Sequence, residues 1–391
     1  MTAQILQITG NYPPVPCGIG DYTQRLAVEC SHRGWDVAIL TSAIEGMPTS
    51  EQREDNVRVF RSIRRWDAFS LRESLASIRN LGAALIHIQY QPNGFQGYPA
   101  ITLLPRWLKR HTRHRARVVV TLHELAGPVK TVLPGSLKSL WLFPLALSSD
   151  AVIVTNERDF SFLRKIPWVG QRLRRIPLAP VITPKTHPEG SGNEVRRKLG
   201  ISEEEVVLAR FGFVHNLRIS RIPDLLQATH QLLKQGHHVR LLLIGGADSG
   251  SQSELLGMAE HLGIRDKLLL TGFCPPTEVS RYLDSVDIAV QLYPDGVSEK
   301  RSSLQAVLAH GLPVISTKKG PVPSTFHPLE NILLIPDGSS RKLAQAIARL
   351  ISDTELRNRL RQNAREAVAC FNWRTIGDAL DHLYRSLEGK P

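Results

Sequence analysis

The sequence predicts an α/β protein made of two doubly wound parallel sheets. Three observations predict it. Short apolar, β-branched runs alternate with helical patterns along nearly the whole chain. The alternation breaks once, in a stretch rich in Pro and Gly, and then restarts in the same form. The length, 391 residues, suffices for two domains that each bury a core.

Taken in order, residues 4–10 (Gln-Ile-Leu-Gln-Ile-Thr-Gly) read as a buried strand. A Pro/Gly loop from Asn11 to Gly20 follows, then a helical pattern from Asp21 to about Arg33, then a strand at Val37–Thr41. This is a βαβ unit. Further strands are expected at 57–61, 84–90, 117–123, 151–155 and 174–178, with helical stretches between most of them. The segment Thr183-Pro184-Lys185-Thr186-His187-Pro188-Glu189-Gly190 sits in the break. Strands resume at 206–212, 238–245, 267–272, 287–292 and 313–317. Helices are expected at 221–235, 251–263, 276–286 and 302–310, and the end is helical over 339–352, 354–370 and 373–388. The expected organisation is a first domain over 1–182, a linker over 183–195, a second domain over 196–370 and a last helix over 371–391 that returns to the first domain.

Hydrophobic residues make up 42% and charged residues 22%, a globular rather than a disordered composition. No apolar run reaches the roughly 18–20 residues of a membrane span. The N-terminus shows neither a basic start nor an apolar leader core. The four cysteines, Cys17, Cys30, Cys274 and Cys370, form no close pair, so no disulfide framework or zinc site is expected, and a reducing cytoplasm fits. The net charge of +13 is uneven: residues 1–180 hold 23 basic and 13 acidic side chains. That field suits anionic partners. The stretch 104–117, with Trp107 among six Arg/Lys residues, could also touch an anionic membrane surface. No DNA or RNA motif is present, so nucleic acid is not an expected partner.

In doubly wound sheets, ligands bind at the carboxyl ends of strands, and two such domains can face each other across a cleft. Several residues fall at those ends. Gly18 and Gly20 flank the start of the first helix, where the backbone can approach a phosphate or sugar oxygen. His123 closes the strand 117–123, and an imidazole there can hold a hydroxyl or stabilise developing charge. Gln89 and Tyr90 close the strand 84–90 and, with Asp21, could bind acceptor hydroxyls. Glu299, Lys300, Arg301, Ser302 and Ser303 precede a helix, where cations would stabilise a leaving diphosphate without a metal. Arg218 and Arg221 are weaker candidates of the same kind. Each reading has a plain counterpart: a βα turn, a capped strand end, or a solvated charge run.

Several segments together resemble the family 4 glycosyltransferases. They are Cys17-Gly18-Ile19-Gly20-Asp21-Tyr22, Phe211-Gly212, Leu270-Thr271-Gly272-Phe273, the run from Val286 through Ser302-Ser303 to Gly311-Leu312-Pro313-Val314-Ile315, and Phe371-Asn372-Trp373. Their order along nearly the whole chain makes the match specific. The resemblance implies the GT-B architecture, two Rossmann-like domains facing across a cleft. It implies retaining transfer from a nucleoside diphosphate sugar, with no metal or other cofactor. The nucleotide sugar would bind on the second domain, through Gly212, Arg218, Gly272, Lys300, Arg301, Ser302 and Ser303, with Gly18 and Gly20 contributing. A sugar-containing, lipid-linked or small-molecule acceptor would bind on the first. His123 and Glu299 would act on the reacting sugar. This sequence departs from the family at two loop glutamates, whose places Ser298 and Ala306 hold. Glu299 would substitute for the first, and Gln305 or a serine would serve the ribose. Phe213 stands where the family usually carries an Arg on the diphosphate, and Arg218 matches a nearby Lys. A sugar-nucleotide epimerase and a non-catalytic nucleotide-sugar or glycan binder are the alternatives.

Overall fold

The computed structural model describes residues 4–111, 116–125, 142–185, 190–214, 217 and 220–388. The chain divides into two compact units, Met1–Ala179 with Asn372–Pro391, and Pro180–Phe371.

The first unit is built on an eight-stranded sheet. Its strands are β1 (Ile5–Thr9), β2 (Val37–Ser42), β3 (Gln52–Glu54), β4 (Val57–Ile63), β5 (Leu85–Tyr90), β6 (Arg117–Leu122), β7 (Ala151–Val154) and β8 (Leu173–Arg175). The order is β3-β4-β2-β1-β5-β6-β7-β8, parallel except for the antiparallel edge strand β3. β1 pairs with β2 on one side and β5 on the other, so the winding direction reverses there. The central strands are apolar on both faces because both faces are covered. One core holds Ile8, Leu40, Trp66, Ile88 and Val120. The other holds Ile5, Leu26, Ile39, Val119 and Tyr384.

That second face is covered by two helices, Gly18–His32 and the C-terminal Trp373–Glu388. In the latter, Ile376, Leu380, Leu383 and Leu387 recur at helical spacing and are buried. Polar contacts fix its register: Trp35 Nε1 donates to Asp381 at 2.7 Å, and Arg33 pairs with Asp378 at 2.8 Å. In the Leu104–His111 helix, Leu104 and Leu108 are buried, and Trp107 packs against the core. Its aromatic therefore faces inward, while Arg106, Lys109 and Arg110 are exposed. Residues 112–115 of that basic stretch lie outside the described residues.

The second unit is built on a six-stranded parallel sheet in the order β11-β10-β9-β12-β13-β14. Its strands are β9 (Val206–Phe211), β10 (Val239–Ile244), β11 (Leu268–Leu270), β12 (Ile288–Gln291), β13 (Val314–Thr317) and β14 (Leu333–Ile335). β9 lies between β10 and β12, so the winding reverses between β9 and β12. Helices Ile222–Lys234 and Ser340–Ser352 pack together over the face that buries Leu208, Leu243 and Ile288. The expected linker 183–195 runs into a helix, Ser191–Lys198, which packs on the helix Pro276–Asp284. Among the described residues no helix is long and apolar enough to cross a membrane.

Candidate functional site

At the carboxyl edge of the first sheet, the chain leaves β1 through Gly10. A Cβ there would lie 1.9 Å from the Gly94 carbonyl oxygen, so only glycine admits that backbone. The loop returns as the Gly18–His32 helix. Gly20 has a packing role, since a Cβ would sit 3.0 Å from the Asn11 carbonyl. Gly18 faces open space. Asp21, in the first turn of this helix, is partly buried, and burial pushes its carboxyl up to about 6.

His123 follows β6 at this edge, is nearly buried, and meets the edge of the Tyr22 ring at a centroid distance of 5.5 Å. Its Nε2 lies 2.8 Å from Gln89 Oε1, and its Nδ1 has no partner among the described residues. Burial lowers its pKa to about 3, so the ring is neutral. Behind it, His87 bonds Thr121 at 2.8 Å and the Tyr384 hydroxyl at 2.6 Å. Burial, and then the neighbouring His123, bring His87 to about 3 as well. The structure therefore brings Gln89 and His123 together, with Gln89 holding the imidazole. Tyr90 lies on the opposite face, stacked on Phe95 at 6.0 Å, and is buried. Glu124, next to His123, is exposed.

The carboxyl edge of the second sheet is lined by glycines. Gly212 follows β9, Gly245 follows β10, and Gly272 follows β11; their φ values are 134°, 121° and 69°. A Cβ on Gly245 would come within 2.8 Å of the Gly212 carbonyl oxygen, so the backbones meet too closely for a side chain. At the switch between β9 and β12, Gln291 donates to the Phe211 carbonyl at 3.0 Å. Tyr293 then anchors the loop. Its backbone N–H donates to Thr317 Oγ1 at 2.9 Å, and its hydroxyl lies 3.0 Å from Ser303 Oγ. The Arg301 guanidinium lies over its ring, 4.8 Å from the centroid.

Asp295 pairs with Arg301 and stands 3.9 Å from Lys300. Arg301, Ser302 and Ser303 are all partly exposed, and Arg301 rather than a serine occupies the cap position of the Ser302–Ala309 helix. Glu299 is buried, and its carboxylate accepts from Thr325 at 3.0 Å. Gln305 is fully buried and donates to the Glu299 carbonyl at 2.6 Å, which leaves the serines as the accessible hydroxyls of this loop. Arg221 pairs with Asp224 at 3.1 Å at the start of its helix. Arg218 lies outside the described residues.

Three residues escaped sequence reasoning: Tyr293, Asp295 and Arg210. The last is a lone cation in the apolar run Val206-Val207-Leu208-Ala209-Arg210-Phe211, which was its only sequence signal. A charged cavity of about 900 Å³ opens elsewhere, along Ser191–Lys198 and Arg281, and no expected site residue lines it.

Two doubly wound units, the second with a glycine-lined, cation-bearing carboxyl edge at its switch point, define a GT-B protein of the kind that binds nucleotide sugars. Comparison with known proteins agrees. Residues 193–367 match the model for glycosyl transferases group 1, and residues 17–179 match the glycosyl transferase 4-like domain. A D-inositol 3-phosphate glycosyltransferase of Saccharomonospora viridis is 30% identical over 77% of this chain and 69% of its own. An N-acetyl-alpha-D-glucosaminyl L-malate synthase of Bacillus anthracis is 24% identical over 91% and 90%. In fold, a sucrose-phosphate synthase of Thermosynechococcus elongatus matches with a TM-score of 0.77 at 21% identity over 98% of each chain. An Anabaena protein crystallised with UDP and glucose matches with 0.75 at 17% identity, over 98% of this chain and 100% of its own. The chain belongs to the family 4 glycosyltransferases of GT-B fold.

Proposed function

We propose that this glycosyltransferase moves a sugar from a nucleoside diphosphate sugar to an acceptor hydroxyl with retention of anomeric configuration and without a metal ion. The observation that supports the reading is the loop Lys300-Arg301-Ser302-Ser303: Ser303 stands beside Gly212, and the Arg301 guanidinium lies over the ring of Tyr293, whose hydroxyl is 3.0 Å from Ser303 Oγ. As the bond from C1 to the phosphate oxygen breaks, negative charge grows on the diphosphate. Fixed cations at that position stabilise it more in the transition state than in the ground state. The acceptor oxygen attacks C1 from the face the diphosphate leaves, and its proton passes to the departing phosphate oxygen. Neutral His123 offers its Nδ1 lone pair to a sugar hydroxyl. Glu299, buried in the loop with its carboxylate held by Thr325, steadies the sugar side of the site.

The acceptor is an anion-bearing molecule in this reading. The first 180 residues carry the larger share of the positive charge, and the names of the two relatives above contain inositol 3-phosphate and L-malate, both anions. UDP-glucose turnover in the presence of EDTA, with a panel of phosphorylated and carboxylated polyols, tests the proposal. The product anomer is read by NMR. An α-linked product formed in EDTA is expected; a β-linked product, or turnover abolished by EDTA, would contradict it. Flotation with anionic vesicles tests peripheral membrane contact separately, with retention on the vesicles expected if the exposed cations of the first unit dock there.

A further inference from the structure

Arg210 occupies an unusual position. It is the next-to-last residue of β9, the central strand of the second sheet, on the face that buries Leu208. A cation in such a place normally has a carboxylate beside it, because an unpaired buried charge is strongly unfavourable. No carboxylate among the described residues forms an ion pair with Arg210. Its one described hydrogen bond runs from Nη1 to the Gly212 carbonyl at 2.8 Å. Burial pushes the guanidinium below its ordinary range, and the nearby Tyr293 is a phenol rather than an acid. The side chain nevertheless keeps partial exposure.

The guanidinium also lies beside Gly212. A Cβ on Gly212 would lie 3.8 Å from both terminal nitrogens of Arg210 and 3.8 Å from the Cβ of Ser303. The Arg210 donor fork and the Ser303 side chain therefore flank Gly212 at the carboxyl end of β9. An oxyanion bound beside Gly212 would supply the charge the strand lacks, and the planar fork suits two phosphate oxygens at once.

We propose that Arg210 is a phosphate-binding residue of the donor site, its half-buried charge neutralised only when a nucleoside diphosphate occupies the edge beside Gly212. The proposal rests on reading this edge as the nucleotide-sugar site. It assigns to a strand residue the guanidinium that the loop lacks at Phe213, which is exposed. The apo protein then holds an unfavourable charge that the ligand relieves.

The test uses the full-length protein with UDP, GDP, dTDP, ADP and inorganic pyrophosphate, followed by thermal shift and calorimetry. At least one of these is expected to stabilise the wild type. Arg210→Met is expected to melt higher than the wild type without nucleotide, and to bind the responsive diphosphate about thirtyfold or more weakly. Arg210→Lys should fall between the two, because it keeps the charge and loses the fork. The double variant Arg210→Met/Phe213→Arg should recover part of the affinity. Wild-type affinity in Arg210→Met overturns the proposal while leaving the donor-site reading intact. So does a lower melting temperature of Arg210→Met without nucleotide, which marks a structural role. A wild type that binds none of the five probes overturns both.

Discussion

The Nε2 of His123 lies 2.8 Å from the amide oxygen of Gln89. An amide oxygen only accepts, so the imidazole proton sits on Nε2 and the Nδ1 lone pair is left free. The buried, neutral ring is thus fixed in the form that receives a hydroxyl proton. Gln89→Leu removes the acceptor and releases the tautomer. Turnover is expected to fall by about tenfold or more, with nucleotide affinity unchanged. Steady-state kinetics alongside calorimetry checks this, and an unchanged kcat would remove Gln89 from the positioning role.

Asp21 gives a pH signature. Its carboxyl is raised from 3.8 to about 6 by burial, so the folded state favours the neutral form. The stability from that form is fully present below about pH 4 and is lost as pH rises through about 6. Asp21→Asn stays neutral at every pH. It is therefore expected to melt higher than the wild type at pH 7 and to match it near pH 4. Melting curves across that range check it; a lower melting temperature at pH 7 would show that the carboxylate is needed for the fold.

The two buried histidines act in the opposite direction. His87 and His123 stand at about 3 against an ordinary value of 6.5. Their contribution is complete above 6.5 and is lost as pH falls toward 3, with a slope of up to about 1.4 kcal/mol per pH unit for each. His87→Asn should flatten this acid limb in urea melts between pH 6.5 and 4.5. An unaltered slope would mean that His87 does not titrate differently on folding.

Asp295 competes with a ligand for the cations of the donor loop, since it pairs with Arg301 and stands near Lys300. Asp295→Asn is expected to tighten diphosphate binding by up to about tenfold, and Arg301→Ala to weaken it by about tenfold or more. Both should leave nucleoside binding unchanged. Calorimetry with a diphosphate and its nucleoside separates the two effects. Equal affinity of Arg301→Ala and wild type for the diphosphate would remove the loop from phosphate recognition.

Most of the architecture was legible in the sequence because both sheets, the edge strand β3 aside, are parallel and covered on both faces. Runs such as Val118-Val119-Val120 and Leu241-Leu242-Leu243 have no other reading between helical patterns. The three-residue strands β3 and β14 were not foreseen, since so short a stretch carries too little pattern. The start of Ser191–Lys198 read as linker because that helix has no buried residue to give it an apolar face. At the site, position along the sheet was legible but partnership was not. Gln89 read as an acceptor ligand, although its amide is committed to His123 across one strand. Tyr90 read the same way, and the alternation of the strand turns it to the other face. Asp295 and Arg210 became visible only once the fold placed them beside Arg301 and Gly212.

The most direct test of the donor-site assignment is isothermal titration calorimetry of the full-length protein in EDTA with UDP, GDP, dTDP and ADP, each beside its monophosphate and nucleoside. Saturable one-to-one binding of one diphosphate is expected, with the monophosphate weaker and the nucleoside weaker still, because the cations at the switch point recognise phosphate. Equal affinity for diphosphate and nucleoside, or no binding of any, would contradict it.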